Sequence, residues 1–181
     1  PFGPIVRLLI LTAQRRDEVA GMRWSEIDPD TREWMLPGTR TKNGSANKIP
    51  LTDAAVAVLE DQLRLKGSDF VFPSARTPSE RSFSGFSKSK RCLDELCGVT
   101  GWTLHDLRRT AATGMARYKI APHVVEKVLN HTDGVLGGVA GIYNRFGYDD
   151  EKRHALETWA AHIERLESGE TDDNVIKLST G

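Results

Sequence analysis

The 181 residues suffice for one domain with a real core, and 39% hydrophobic with 28% charged residues excludes a disordered chain. The 25 basic residues balance 25 acidic ones, which excludes a surface cationic throughout but not a local basic face. No apolar run reaches membrane-spanning length, and Pro1-Phe2-Gly3-Pro4-Ile5 lacks the basic-then-apolar pattern of a signal peptide, so the expected location is the cytoplasm.

In chain order, the opening Pro1-Phe2-Gly3-Pro4 reads as a domain boundary, and Ile5-Val6-Arg7-Leu8-Leu9-Ile10-Leu11 predicts a buried helix. Arg16 to Met22 predicts a second, short helix with acids in its first turn, where the helix dipole favours them. Glu33-Trp34-Met35-Leu36 alternates as a strand, Pro37-Gly38 breaks it, Asn43-Gly44 signals a hairpin turn, and Lys48 to Leu51 returns. Thr52 caps a helix expected to run through Leu63, with Ala55, Leu59 and Leu63 on one face. A helix from Phe83 to Cys97 stops at Gly98, and Cys92 and Cys97 within it are expected to be reduced structural thiols. Thr103 caps the next helix, carrying His105, Arg108, Ala112 and Met115; Pro122 opens another that ends near Leu129. After a glycine-dense passage (Gly134, Gly137, Gly138, Gly141), Leu156, Trp159, Ile163 and Leu166 mark an amphipathic helix.

Four segments hold side chains suited to work on an anion. They are Thr12-Ala13-Gln14-Arg15-Arg16-Asp17-Glu18, Thr41-Lys42-Asn43-Gly44, His105-Asp106-Leu107-Arg108, and Leu129-Asn130-His131 running on to Tyr143. Singly, none is informative. Arginines at a helix junction, a lysine beside a turn and a histidine past a helix end are ordinary surface or capping features. A tyrosine is most often a core aromatic with its hydroxyl at the surface.

In this order and spacing, however, the segments resemble the tyrosine recombinase, or phage integrase, family. The resemblance runs from Arg15 through the helix after Tyr143. Glu18 to Asp28 is similar to the family's first arginine box, and Thr41-Lys42-Asn43-Gly44 with Ile49-Pro50-Leu51 to its lysine hairpin. Tyr143-Asn144-Arg145 with Ala155-Leu156 and Trp159 is similar to the phage-type nucleophile region. Two positions depart from the pattern: Ala13 and Asn130 stand where glycine is frequent.

The resemblance implies a mainly α fold with a small antiparallel β-sheet (α+β), the tyrosine recombinase catalytic-domain fold. Residues 1–168 would be that domain and 169–181 a tail or exchange arm, with the family's N-terminal core-binding domain lacking. It implies site-specific DNA recombination, integration or excision, through a 3′-phosphotyrosine intermediate. Tyr143 would be the nucleophile, His105 would manage its proton, Lys42 would protonate the leaving 5′-oxygen, and His131 would donate to the phosphate. Arg15 and Arg108 suit the clamping of phosphoryl oxygens, because guanidinium is planar, two-pronged and always charged. Glu18, one turn from Arg15, is expected to hold the cationic groups in place. The arginines supply the positive charge, so neither metal nor ATP is implied and no cofactor is expected.

The expected partners are double-stranded DNA and other protomers, four in a synapse, with a monomer in isolation. Arg16, Arg81, Lys88, Lys90 and Arg91 are candidate DNA contacts, from the basic stretch between Arg76 and Arg91. Tyr148 competes with Tyr143 as nucleophile, with Tyr118 too early in the order, and Lys48 competes with Lys42. A type IB topoisomerase-like enzyme and a non-catalytic DNA-binding module of the same fold are the alternative functions.

Overall fold

The computed structural model describes residues 1–131 and 147–169. Helix α1 (Phe2–Thr12) is apolar on nearly all sides, with Ile5, Leu8, Leu9 and Leu11 buried, and it occupies the centre. Pro4 is tolerated in its first turn, where the missing N–H would have no helical acceptor. Around α1 pack α2 (Arg16–Ala20), α3 (Asp53–Glu60), α5 (Leu104–Arg117) and α7 (Asp149–Ser168), while α6 (Pro122–Val128) bridges α5 and α7. Helix α4 (Phe86–Cys97) lies outside this group, anchored by Phe86 against Phe83 and Phe2.

A three-stranded antiparallel sheet, β1 (Ile27–Asp28), β2 (Glu33–Leu36) and β3 (Asn47–Pro50), is ordered β1-β2-β3. Trp34 pairs with Ile49 and Leu36 with Asn47, so the alternation of β2 turns Trp34 and Leu36 to the core and Met35 to solvent. The fold is thus mainly α with a small antiparallel sheet. Among the described residues, no helix is long and apolar enough to cross a membrane.

Several expectations need correction. Strand β1 has only two residues and no alternation to betray it. The turn between β2 and β3 is not a tight hairpin at Asn43-Gly44. Residues 37–46 form a ten-residue loop with a 3₁₀ turn at Gly38–Arg40, because Pro37 cannot continue the ladder. Gly38 is required there, since a Cβ would lie 2.3 Å from the Gly44 carbonyl oxygen.

Helix α3 stops at Glu60 and not Leu63, which is 82% exposed. The Gln62 side-chain amide donates to the Val58 carbonyl (2.8 Å), and its backbone N–H closes a tighter turn on Leu59. Phe83 precedes α4 in extended chain, donating from its N–H to Phe72. Cys92 and Cys97 are free and exposed on α4 and so play no packing role. On α7, Leu156 and Trp159 are buried as expected, but Leu166 is 60% exposed. Tyr143, the glycine-dense passage and residues 170–181 lie outside the described residues.

Candidate active site

Arg15 stands at the junction of α1 and α2. The chain leaves α1 through Ala13, which is left-handed (φ 55°), and Arg15 is the N-cap residue of α2. Glu18, one turn on and buried, accepts the Arg15 backbone N–H (2.9 Å) and its Nη1 (3.0 Å). This satisfies an orphan donor of the helix start and fixes the guanidinium with one carboxylate. Arg15 keeps about a quarter of its side chain exposed (23%), so its remaining donors are accessible.

Arg108 reaches the same place from the middle of α5, whose N-terminus is set by a reciprocal Thr103–Asp106 cap. The residue is 4% exposed. Nη1 donates to the Ala13 carbonyl at 2.6 Å and Nη2 to the Leu129 carbonyl. One buried cation therefore ties the segment before Arg15 to the segment before His131. Burial, then the nearby charge of Arg15, lowers the Arg108 pKa to about 10, while Glu18 and Glu126 oppose the shift. The group stays protonated at neutral pH.

His105 lies one turn before Arg108 on the same face and is exposed. His131 follows Asn130, which is left-handed (φ 50°) and ends the turn after α6. Its Nδ1 sits 2.8 Å from Glu126 Oε2, and its backbone N–H donates to the Glu126 carbonyl (3.0 Å).

The loop carrying Lys42 is tied to this corner. Asn43 Nδ2 donates to the Asn130 carbonyl (2.7 Å), and Asn130 Nδ2 donates to the Ser45 carbonyl (3.0 Å). Lys42 itself is exposed at the loop edge. At the base of the loop, Arg40 is paired with Glu26 and donates from Nη2 to the Glu18 carbonyl (2.8 Å), joining the loop to α2. Lys48, the competing lysine, is ion-paired on β3 with Glu33 and Asp149, both at 3.0 Å; its pKa is raised, by Asp149 first and then Glu33.

A buried polar chain runs beneath these groups. Gln14 donates to the Val128 carbonyl (2.9 Å) and accepts from Asn47 (3.2 Å), whose Oδ1 accepts from the Lys152 ammonium (3.0 Å). The structure thus brings Arg15, Glu18, Arg108 and His131 into one corner, with His105 a turn along α5 and the Lys42 loop laced to its edge. Tyr143 lies outside the described residues. Tyr148 stands at the start of α7, with its ring against His123.

Of the candidate DNA contacts, Arg16 is paired with Asp17 and stacks over Phe86 (5.0 Å), in an open hollow that Arg81 also lines. Lys90 is engaged within the fold, paired with Asp94 (2.6 Å) and lying 3.9 Å over the Trp102 ring. Lys88 and Arg91 are exposed on α4. The sequence motifs assign no role to Gln14, Arg40, Asn43, Glu126 or Lys152, although Gln14 and Asn43 adjoin Arg15 and Lys42 and Glu126 lies five residues before His131.

The fold is similar to that of the integrase from mycobacterium phage Brujita, with a TM-score of 0.64 at 18% identity over 86% of this chain and 50% of that one. It is also similar to the Tn1549 transposon integrase in complex with circular intermediate DNA, with a TM-score of 0.56 at 14% identity over 85% and 56% of the two chains. This is the catalytic-domain fold of the tyrosine recombinases.

The profile described as "Phage integrase family" matches residues 4–145. Prophage integrase IntA of Escherichia coli (strain K12) is 34% identical over 161 residues, covering 88% of this chain. The chain belongs to the phage integrase family. It spans 38% of the length of IntA.

Proposed function

We propose that this chain is the catalytic part of a site-specific DNA recombinase that cuts and rejoins DNA through a 3′-phosphotyrosine bond at Tyr143. One observation carries the reading: Arg108, buried, grips the backbone on both sides of the corner in which Arg15 and His131 sit. A domain that needed only a stable core would gain little from burying a cation, since the desolvation cost is several kcal/mol. A guanidinium pre-set beside a second one is worth that cost where a phosphodiester gathers negative charge in its transition state.

In the proposed reaction, the Tyr143 hydroxyl oxygen attacks phosphorus and the bond to the 5′-oxygen breaks. The tyrosine proton passes to His105, and Lys42 supplies a proton to the leaving 5′-oxygen. Arg15 and Arg108 hold the non-bridging oxygens, and His131 donates a further hydrogen bond. Glu18 keeps Arg15 from turning away. The bond energy remains in the phosphotyrosine, and rejoining is the reverse sequence with a 5′-hydroxyl from another strand. Residues 1–168 form the catalytic unit and 169–181 a tail or exchange arm; double-stranded DNA and further protomers are the partners.

The test is to trap the covalent complex on a nicked duplex carrying the target sequence and to map the modified residue. The adduct is expected on Tyr143, and Tyr143→Phe is expected to abolish it while leaving DNA binding within about twofold. An adduct that persists in this variant overturns the assignment. Joining of two duplexes, as against relaxation alone, separates recombination from topoisomerase-like activity.

A further inference from the structure

We propose that Glu126 is a positioning residue for His131, accepting the Nδ1–H and orienting the ring so that its Nε2 edge faces the scissile phosphate. The inference deepens the recombinase reading and rests on it for the identity of the phosphate. The pairing itself stands on geometry. Glu126 Oε2 is 2.8 Å from His131 Nδ1, within charge-assisted hydrogen-bond distance. The backbone of the same pair is locked as well, the His131 N–H donating to the Glu126 carbonyl at 3.0 Å.

Asn130 makes this return possible. Its left-handed backbone folds the chain back over the last turn of α6, and its side chain is pinned to the Lys42 loop through Asn43 and Ser45. The backbone at His131 is therefore fixed by its neighbour's contacts, and its ring is held by the Glu126 carboxylate. The Glu126 carboxylate is about three-quarters covered (26% exposed) and the imidazole more open at 41%, so the free edge of the ring is the one away from the carboxylate.

Among the described residues, the charged groups facing the pair are few. Arg108 on α5 lies near enough to feel Glu126, with Arg15 and Glu18 beyond it. On α6 itself, Lys127 turns its ammonium towards the Tyr148 ring. The Lys42 loop meets this corner through neutral amides, Asn43 and Asn130, with Lys42 exposed at its edge. Glu126 is thus the one anion in hydrogen-bond contact with the His131 ring among the described residues. A neutral imidazole bonded at Nδ1–H would present an Nε2 lone pair to an anionic phosphate. The imidazolium presents a donor.

Two measurements test this. The first needs no catalysis: the ring nitrogens and C2–H of His131 are followed by NMR against pH in the whole chain. The Nδ1–H is expected to give a downfield, slowly exchanging signal, and Glu126→Gln is expected to weaken it, since the amide keeps an acceptor but loses the charge. The second is single-turnover adduct formation on the nicked duplex across pH. The wild type and Glu126→Gln are expected to be within about twofold near pH 6 and about tenfold apart near pH 8.

An unchanged Nδ1–H signal in Glu126→Gln overturns the proposal, as does a rate loss of the same size at every pH, which is what a merely structural contact gives. If Glu126→Gln does not fold, the wild-type nitrogen signals alone decide, the lack of a hydrogen-bonded Nδ1–H counting against it. Absence of any adduct from the wild type defeats the recombinase reading instead and leaves the NMR result to judge the pair.

Discussion

Ala13 and Asn130 depart from the glycine frequent at their positions in the family, and both have positive φ, 55° and 50°. A Cβ in that region costs about 1 kcal/mol, which explains the glycine preference without any appeal to chemistry. Here the cost is offset: the Ala13 carbonyl is held by Arg108, and the Asn130 side chain bonds to the Lys42 loop. Lys152 is the other unusual residue, 4% exposed, with its ammonium donating to Asn47 Oδ1 and the Lys48 carbonyl. Burial above all lowers its pKa from 10.5 to about 8, with Lys48 and Lys127 adding to the shift and Asp149 and Glu33 opposing it. The unfolded chain holds this proton more tightly than the folded one, so stability rises with pH between about 8 and 10.5. Lys48 acts in the opposite sense, its raised pKa withdrawing stability only as pH climbs through and above the ordinary lysine value of 10.5. Urea unfolding is expected to show a gain on the order of 2 kcal/mol between about pH 7 and 9.5, absent in Lys152→Met. Equal pH slopes in the two proteins would contradict this.

At the scale of elements, the packing of α5 on α7 turns on Gly114. A Cβ there would lie 2.0 Å from Cζ3 of Trp159, which is itself buried and donates from Nε1 to the Ile10 carbonyl (2.7 Å). Glycine costs helix α5 about 1 kcal/mol in propensity, and the close helix contact offsets it. Gly114→Ala is expected to destabilise the domain by about 1–3 kcal/mol despite the propensity gain, because the indole must move and leave its acceptor. Chemical denaturation followed by tryptophan fluorescence reads this, and a stabilised variant would show the contact to be slack. The β2–β3 loop has a different logic. Pro37 and Gly38 take the chain out of the sheet, and the Arg40 bond to the Glu18 carbonyl and the Asn43–Asn130 bond then hold it to α2 and the His131 corner. A two-residue hairpin would be too short to reach both.

For the whole molecule, α7 closes the core. Ala155, Leu156, Trp159 and Ala160 are buried, and Lys152 latches the first turn to β3. Burying Leu156 and Trp159 alone contributes about 5 kcal/mol, comparable with the entire stability of a domain of this size. A chain ending at Tyr148 is therefore expected to lose cooperative thermal unfolding by circular dichroism. A melt within a few degrees of the full chain would show α7 to be dispensable. Since α7 follows the segment carrying Tyr143, this packing also anchors one end of that segment, while the Gln14–Val128 and Arg108–Leu129 bonds anchor the other.

Most helices were legible in the sequence because their signals are local. Caps at Thr52 and Thr103, Pro122 at a helix start, Gly98 at a helix end and 3.6-residue spacing all act within a few turns. The order of Arg15, Lys42, His105, Arg108, His131 and Tyr143 was legible for the same reason, as short motifs in series. What only the tertiary structure decided is which groups meet. Arg108 and Ala13 are 95 residues apart and Lys152 and Asn47 are 105 apart, and no periodicity links such partners. Those meetings follow from burial: a cation or amide taken out of water must find an acceptor in whatever segment packing brings beside it, and that segment is chosen by the core as a whole.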